Sequence, residues 1–195
     1  EIVNSRHELE ANLQRSATAF AVTIERELVS SIDALNILSY NQRLQQDDIR
    51  GFVADLNALP RLRNSWSGAY LVDLSNGHMV FQLQADEQPA GKWTDSAALE
   101  RLRSTRQPVV TDVMRDVTGE ARTGVLVPVE VRGRLRYALG AWIDVESWQR
   151  LMSGANVSAD GFVALYDSHF RLVARSQDSE RYAGRPLPEL EQERM

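Results

Sequence analysis

The sequence contains no cysteine. That excludes disulfides, thiolate metal sites and a cysteine nucleophile, and it leaves the redox compartment open, because absence suits reducing and oxidising surroundings alike. The three histidines, His7, His78 and His169, lie far apart, and none sits at a metal-ligand spacing. Positive charge is in deficit: 22 basic residues, of which only Lys92 is a lysine, face 27 acidic ones, for a net charge of -5. A chain so balanced lacks the basic surface that drives nucleic-acid binding, so no nucleic-acid partner is expected. Long apolar runs are missing too; stretches such as Gly124 to Val129 fall far short of the roughly 18 residues a membrane span requires. What is present is ordinary: 43% hydrophobic and 25% charged residues exclude global disorder. At 195 residues the chain is long for one compact domain and short for two. It opens on Glu1 rather than methionine and has no visible signal peptide, so a piece of a longer protein is expected.

Glycine and proline are absent from Glu1 to Arg50. Across that stretch Leu9, Leu13, Ala17, Phe20, Ile24, Leu28, Ile32 and Leu35 recur every three or four residues, with charged residues between them. This is an apolar stripe at helical period. A helix through residue 45 would be roughly 65 Å long, more than a domain of this size covers along its whole length. Two readings stand side by side. One is an ordinary helix broken near Ser30-Ser31. The other is a stalk, residues 1–45, packed on its own domain and on a second copy in a parallel homodimer. A shorter helix is predicted from Asp47 to Leu59, with Asp47 or Asp48 as N-cap and Pro60 as its stop.

The remainder carries a repeat. Ala69 to Asp73 is an apolar strand followed by a turn with Asn76-Gly77 and a return strand from Met79 to Leu83. The pattern returns at Val163 to Asp167, with the turn Ser168 to Arg171 and the strand Leu172 to Ala174. Asp73 and Asp167 stand 94 positions apart, and Gly91 and Gly184 stand 93 apart. Each hairpin leads into a helix, Asp95 to Arg106 in the first copy and Pro188 to Met195 in the second. We read two copies of one supersecondary unit. The first continues with strands Val109 to Val113, Thr123 to Val131 and Leu135 to Ile143, then a helix from Val145 to Met152 capped by Asp144. The fold class predicted is α+β: a long N-terminal helix, then a five-stranded antiparallel sheet with helices on one face over residues 46–156, and the start of a second unit over 157–195. The second hairpin, lacking its own sheet partners, is expected to pack against the N-terminal half of the long helix.

Other constellations point to structure rather than chemistry. Asp167, Ser168 and His169 are triad residue types, but adjacent turn residues do not converge as a triad does, so a polar turn is predicted. Arg132, Arg134 and Arg136 alternate near one turn and read as solvated edge protection or as an anion or partner site. The acidic pairs Asp47-Asp48 and Asp86-Glu87 read as caps and loops. No cluster suggests a catalytic or metal site, and no cofactor is expected.

The stretches Trp66 to Gln82, Thr111 to Ile143 and Gly161 to Pro186, in this order behind a long helix, resemble the double Cache, or tandem PAS-like, sensor domains of bacterial transmembrane receptors. The resemblance implies a periplasmic segment of an inner-membrane protein, membrane helices outside the chain, and a histidine kinase, diguanylate cyclase or chemoreceptor output elsewhere. Many amino-acid-binding members carry a Tyr-x-x-x-x-Arg-x-Trp-Tyr-x-x-Ala motif with a later Tyr and Asp. Here Trp93 and Ala97 match, Gly91 stands at the Arg position, Thr94 at the second Tyr, Met114 at the later Tyr, and Asp116 matches the Asp. The carboxylate-clamping arginine is therefore missing. The implied cleft has Tyr70 on its floor, Trp93 as an aromatic wall, Asp116 at its rim and the cations Lys92 and Arg115 nearby, a set suited to a small polar organic ligand. Trp66 and Tyr70, which enter and line the first strand, read as core ahead of ligand contacts, and Trp142 and Trp148 read as packing residues. The other reading is a dimerisation module with no ligand of its own.

Overall fold

The computed structural model describes residues 2–59, 62–83, 91–115, 119–153, 162–177 and 179–187. Helix α1 runs unbroken from Ile2 to Ser39, about 57 Å at ~1.5 Å per residue. It does not break at Ser30-Ser31. Ser31 is buried there, its hydroxyl donating to Glu27 while Trp66 Nε1 donates to it. The helix stops where Asn41 caps α2 (Gln42–Gln45), its side-chain oxygen accepting from the Arg43 and Leu44 amides. Helix α3 (Ile49–Asn57) follows, capped by Asp48, whose carboxylate accepts from Gly51 N.

Strands β1 (Gly68–Asp73), β2 (His78–Leu83), β3 (Val109–Val110), β4 (Met114–Arg115), β5 (Ala121–Val131) and β6 (Arg134–Asp144) form one antiparallel sheet. Its order is β2-β1-β6-β5-β3, and β4 pairs with β5 beyond β3. The single strand expected over 109–113 is therefore two. Thr111 divides them: its N–H donates to Gly124 O at 2.8 Å, and its hydroxyl accepts from Gly124 N at 2.7 Å. Helix α4 (Ser96–Thr105) lies between β2 and β3 in sequence, and α5 (Val145–Met152), capped by Asp144, leaves β6.

Helices cover both faces of the sheet, not one. Leu71, Val125, Val127, Leu139, Ala141 and Ile143 share a core with Phe20, Ile24 and Leu35 of α1, Phe52 and Leu56 of α3, and Trp148 and Met152 of α5. The alternate residues Tyr70, Val72, Leu126, Ala138 and Trp142 share a second core with Leu99 and Leu102 of α4. Strand alternation sends neighbours to opposite faces, so burying both yields the continuous apolar runs of β1 and β5. Arg132 and Gly133, with φ of 52° and 73°, form the two-residue turn between β5 and β6. Strand β6 is internal, so Arg134 and Arg136 do not guard an edge; Arg136 pairs with Asp73 at 3.2 Å.

A second, two-stranded sheet pairs β7 (Ala164–Tyr166) with β8 (Leu172–Arg175), followed by α6 (Ser179–Tyr182). The two hairpins use the same devices. Asp73 accepts from Ser75 N, and Asp167 accepts from His169 N and Arg171 N, each turning the chain at a strand end. An isolated antiparallel bridge joins His78 to Lys92 in the first and Arg171 to Pro186 in the second. Among the described residues the second hairpin does not rest on α1. It packs on α5 and the start of β5, with Val173, Ala174 and Ala183 in the core that holds Trp148. The helix expected over 188–195 lies outside the described residues, and no described helix is long and apolar enough to cross a membrane.

Candidate ligand-binding site

The α4 face of the sheet is built around three aromatic rings. Tyr70 stands on β1 opposite Gly140 of β6, and Trp142 stands on β6 between Gly68 and Gly124. Those glycines let the Tyr70 ring lie flat across β6. A Cβ at Gly140 would fall 2.3 Å from Tyr70 Cζ, and one at Gly124 would fall 2.5 Å from the hydroxyl. Trp93 enters from the chain leading into α4. Its N–H donates to Gly77 O and its Nε1 to Asp95 O, both at 2.8 Å, while Asp95 caps α4 through Ala98 N. Ring centroids are 4.4 Å apart for Tyr70 and Trp142, 4.9 Å for Tyr70 and Trp93, and 5.2 Å for Trp93 and Trp142. These are stacking distances.

Two polar atoms inside this stack, the Tyr70 hydroxyl and Trp142 Nε1, are buried without a hydrogen-bond partner among the described residues. Such a group costs about 1–3 kcal/mol when left unmade. Burial, with the nearby charge of Asp95 adding to it, pushes the Tyr70 hydroxyl well above its ordinary pKa, so it remains a proton donor at every physiological pH.

The sequence reading and the geometry agree in part. Tyr70 and Trp93 come together as expected. Lys92 is exposed and lies along the β1–β2 turn beside Gly77 and Leu99. Arg115 is not a cation of this cleft: its guanidinium donates to Gly119 O at 2.7 Å and Ala183 O at 2.9 Å, tying the sheet edge to the second hairpin unit. Asp116 lies outside the described residues. Trp142 was read as packing alone. The signal that could have found it is the strand alternation through Ala138, Gly140 and Trp142, which puts it on the Tyr70 face with a glycine in between.

The other polar clusters have structural explanations. Asp112 accepts from Ser168 N and Oγ, at 3.0 and 2.7 Å, and its second oxygen meets His169 Nδ1 at 2.9 Å. Ser168 Oγ also approaches His169 through Nδ1, at 3.3 Å. A catalytic triad needs serine and carboxylate on opposite ring nitrogens, so these residues form a clamp between the β3–β4 loop and the second hairpin. Asp167 completes it, accepting from Val113 N and pairing with Arg171. Asp112, Asp167 and His169 also lie close enough for a metal. However, the Arg171 side chain and three backbone amides already occupy Asp167, and an adjacent guanidinium disfavours a cation. Open grooves of about 400 Å³, beside Arg115, Glu120, Asp144 and Ala183, and about 530 Å³, beside Glu27, Arg63, Ser65 and Arg150, carry no comparable buried donors on aromatic rings.

No protein-family model matches the chain, and comparison with curated proteins gives no significant match. Solved structures do match. The ligand-binding domain of the Pseudomonas fluorescens chemoreceptor CtaA, in complex with L-isoleucine, aligns with 95% of this chain and 75% of its own at 16% identity and a TM-score of 0.68. That of the Pseudomonas aeruginosa amino-acid chemoreceptor PctB, in complex with L-arginine, aligns with 93% and 76% at 17% identity and a TM-score of 0.66. That of PctC from the same organism, in complex with GABA, aligns with 96% and 80% at 14% identity and a TM-score of 0.61. At such identities the likeness is one of fold: the chain shares the α+β architecture of these chemoreceptor ligand-binding domains.

Proposed function

We propose that this chain is the extracytoplasmic ligand-sensing region of a bacterial membrane receptor, binding a small polar organic molecule between the sheet and α4. The observation that carries the reading is the fold likeness, over nearly the whole chain, to domains solved in complex with amino acids and GABA. The buried aromatic stack with its two unpaired donors, on the face closed by α4, supports it. The reading includes two tandem PAS-like units, a periplasmic position, membrane helices outside the chain and a separate cytoplasmic output domain such as a histidine kinase, a diguanylate cyclase or a chemoreceptor signalling region. This segment itself is a sensor, not an enzyme. Gly91 at the arginine position of the amino-acid motif, with Arg115 engaged by backbone carbonyls, argues against carboxylate clamping in the usual manner.

The reading also includes a homodimer through α1. Phe20, Ile24 and Leu35 of the stripe are covered by the chain's own sheet, whereas Leu13 of the same stripe is exposed. Val22, Val29 and Ile37 are exposed on the opposite side of the helix, with Tyr40 just past its end. The same row favours a second reading, a dimerisation module without a small-molecule ligand. A thermal-shift screen of small metabolites separates the two, because a ligand at 100 times its Kd adds about 2.7 kcal/mol. A ranked set of stabilising compounds is the expected result; a flat response across the panel, with self-association intact, leaves the dimerisation module.

A further inference from the structure

Tyr70 is 0% and Trp142 8% exposed, yet neither the Tyr70 hydroxyl nor Trp142 Nε1 meets an acceptor among the described residues. Both are donors on neighbouring rings, and Trp93 stacks on both. The other residues of this core, among them Val72, Leu99, Leu102, Leu126 and Ala138, carry no charge. A carboxylate brought here would lose its hydration beside Asp95, whose negative charge acts on the Tyr70 hydroxyl. A flat, uncharged group bearing an acceptor would keep the stacking and satisfy the donors.

Of the three rings, Trp93 is the one that can leave. Tyr70 and Trp142 are fixed in the paired strands β1 and β6, and Gly140 and Gly124 lie directly against the Tyr70 ring and hydroxyl. Trp93 belongs to no strand or helix and is held by one backbone and one side-chain hydrogen bond. We infer that Trp93 is a built-in occupant of the site, and that the ligand replacing it is an uncharged planar molecule carrying a hydrogen-bond acceptor, not a zwitterionic amino acid. The inference rests on the sensing reading for its biological ligand, but its chemistry is testable without one.

Three probes of indole-like size separate the contributions: indane has no acceptor, indanone has a carbonyl, and indane carboxylate has a charge. Each is titrated into Trp93→Ala, and into the milder Trp93→Leu, with Trp142 fluorescence and thermal shift as readouts. Indanone is expected to bind about ten-fold more tightly than either of the others. Adding Tyr70→Phe should bring indanone to within about two-fold of indane. Equal binding of indane and indanone, preference for the carboxylate, or no binding to a folded variant overturns the inference. Should both variants fail to fold, the wild-type chain at millimolar probe must give the same ranking. The twenty amino acids, titrated into the wild-type chain, keep the two readings apart. An amino acid that binds with unchanged affinity after Tyr70→Phe overturns this inference and leaves the sensor reading standing. Silence of the wild-type chain toward every metabolite, with indanone still selected by the variant, removes the sensor reading and leaves the site chemistry intact.

Discussion

At the scale of single residues, the site depends on two glycines as much as on its aromatics. Gly140 and Gly124 keep ordinary strand conformations and are needed for space, since a methyl at either position would enter the Tyr70 ring or its hydroxyl. Gly140→Ala should therefore destabilise the chain by about 1–3 kcal/mol, the usual range for overpacking, readable as a lower Tm. Tyr70→Phe should do the opposite. It deletes a hydroxyl that has no partner among the described residues, so the free chain should be as stable as the wild type or slightly more so; a loss above about 1 kcal/mol in urea unfolding would mean the hydroxyl is bonded after all. Asp112 carries a pH dependence. Burial alone would raise its pKa, but the Ser168 hydroxyl and amide and then His169 outweigh burial and hold the carboxyl below its ordinary value of 3.8. A depressed carboxyl pKa contributes stability that is present above the unfolded value and lost as pH falls through the folded one. Asp112→Asn should thus cost roughly 2 kcal/mol at pH 7, and that cost should shrink steadily as the pH falls below 3.8, which unfolding curves over an acid series will check. Some of this was legible in the sequence. Asp48 and Asp144 announced themselves as caps because the residue types and the apolar runs behind them coincide. Trp142 and the Asp112 clamp did not, because each acquires its role from a partner far along the chain.

At the scale of elements, α1 is two-sided. Its inner stripe was visible in the sequence as an unbroken helical period, and the sheet covers that stripe from Phe20 onward. Its outer row, Val22, Val29 and Ile37, was hidden because polar residues interrupt it. Val29→Glu with Ile37→Glu should weaken self-association in sedimentation while leaving the Tm unchanged, since both side chains are exposed. Phe20→Glu should lower the Tm by burying an unpaired charge. A monomeric wild-type chain at high concentration would remove the outer row as an interface. The inner side also carries a polar link. Glu27 accepts from Arg63 Nη2 at 3.2 Å and Ser65 Oγ at 2.5 Å, and Trp66 reaches Ser31, all just ahead of the strand that bears Tyr70. The site strand and the long helix are thus joined by a buried ion pair and hydroxyls rather than by apolar contact alone. Both partners are mostly buried, so Glu27→Ala leaves the Arg63 charge uncompensated and should lower stability by about 3 kcal/mol in chemical denaturation.

At the scale of the whole molecule, the repeated hairpins were readable from paired landmarks 93 and 94 positions apart. Where the second hairpin rests was not, because its docking on α5 is set by Val173 and Ala183 meeting Trp148, a tertiary fit with no local pattern. The sidedness of the sheet was misjudged for a related reason. A strand buried on both faces shows a continuous apolar run, and such a run does not tell how many helices cover it. Binding of a small molecule on the α4 face, as proposed, is tested directly by hydrogen–deuterium exchange with the compound that raises the Tm most. New protection is expected of the amides over residues 91–106 and along β1 and β6 around Tyr70 and Trp142, with loss of that protection in Tyr70→Phe. Protection confined to the groove beside Arg115, Glu120 and Ala183, with the α4 face unchanged, would contradict it.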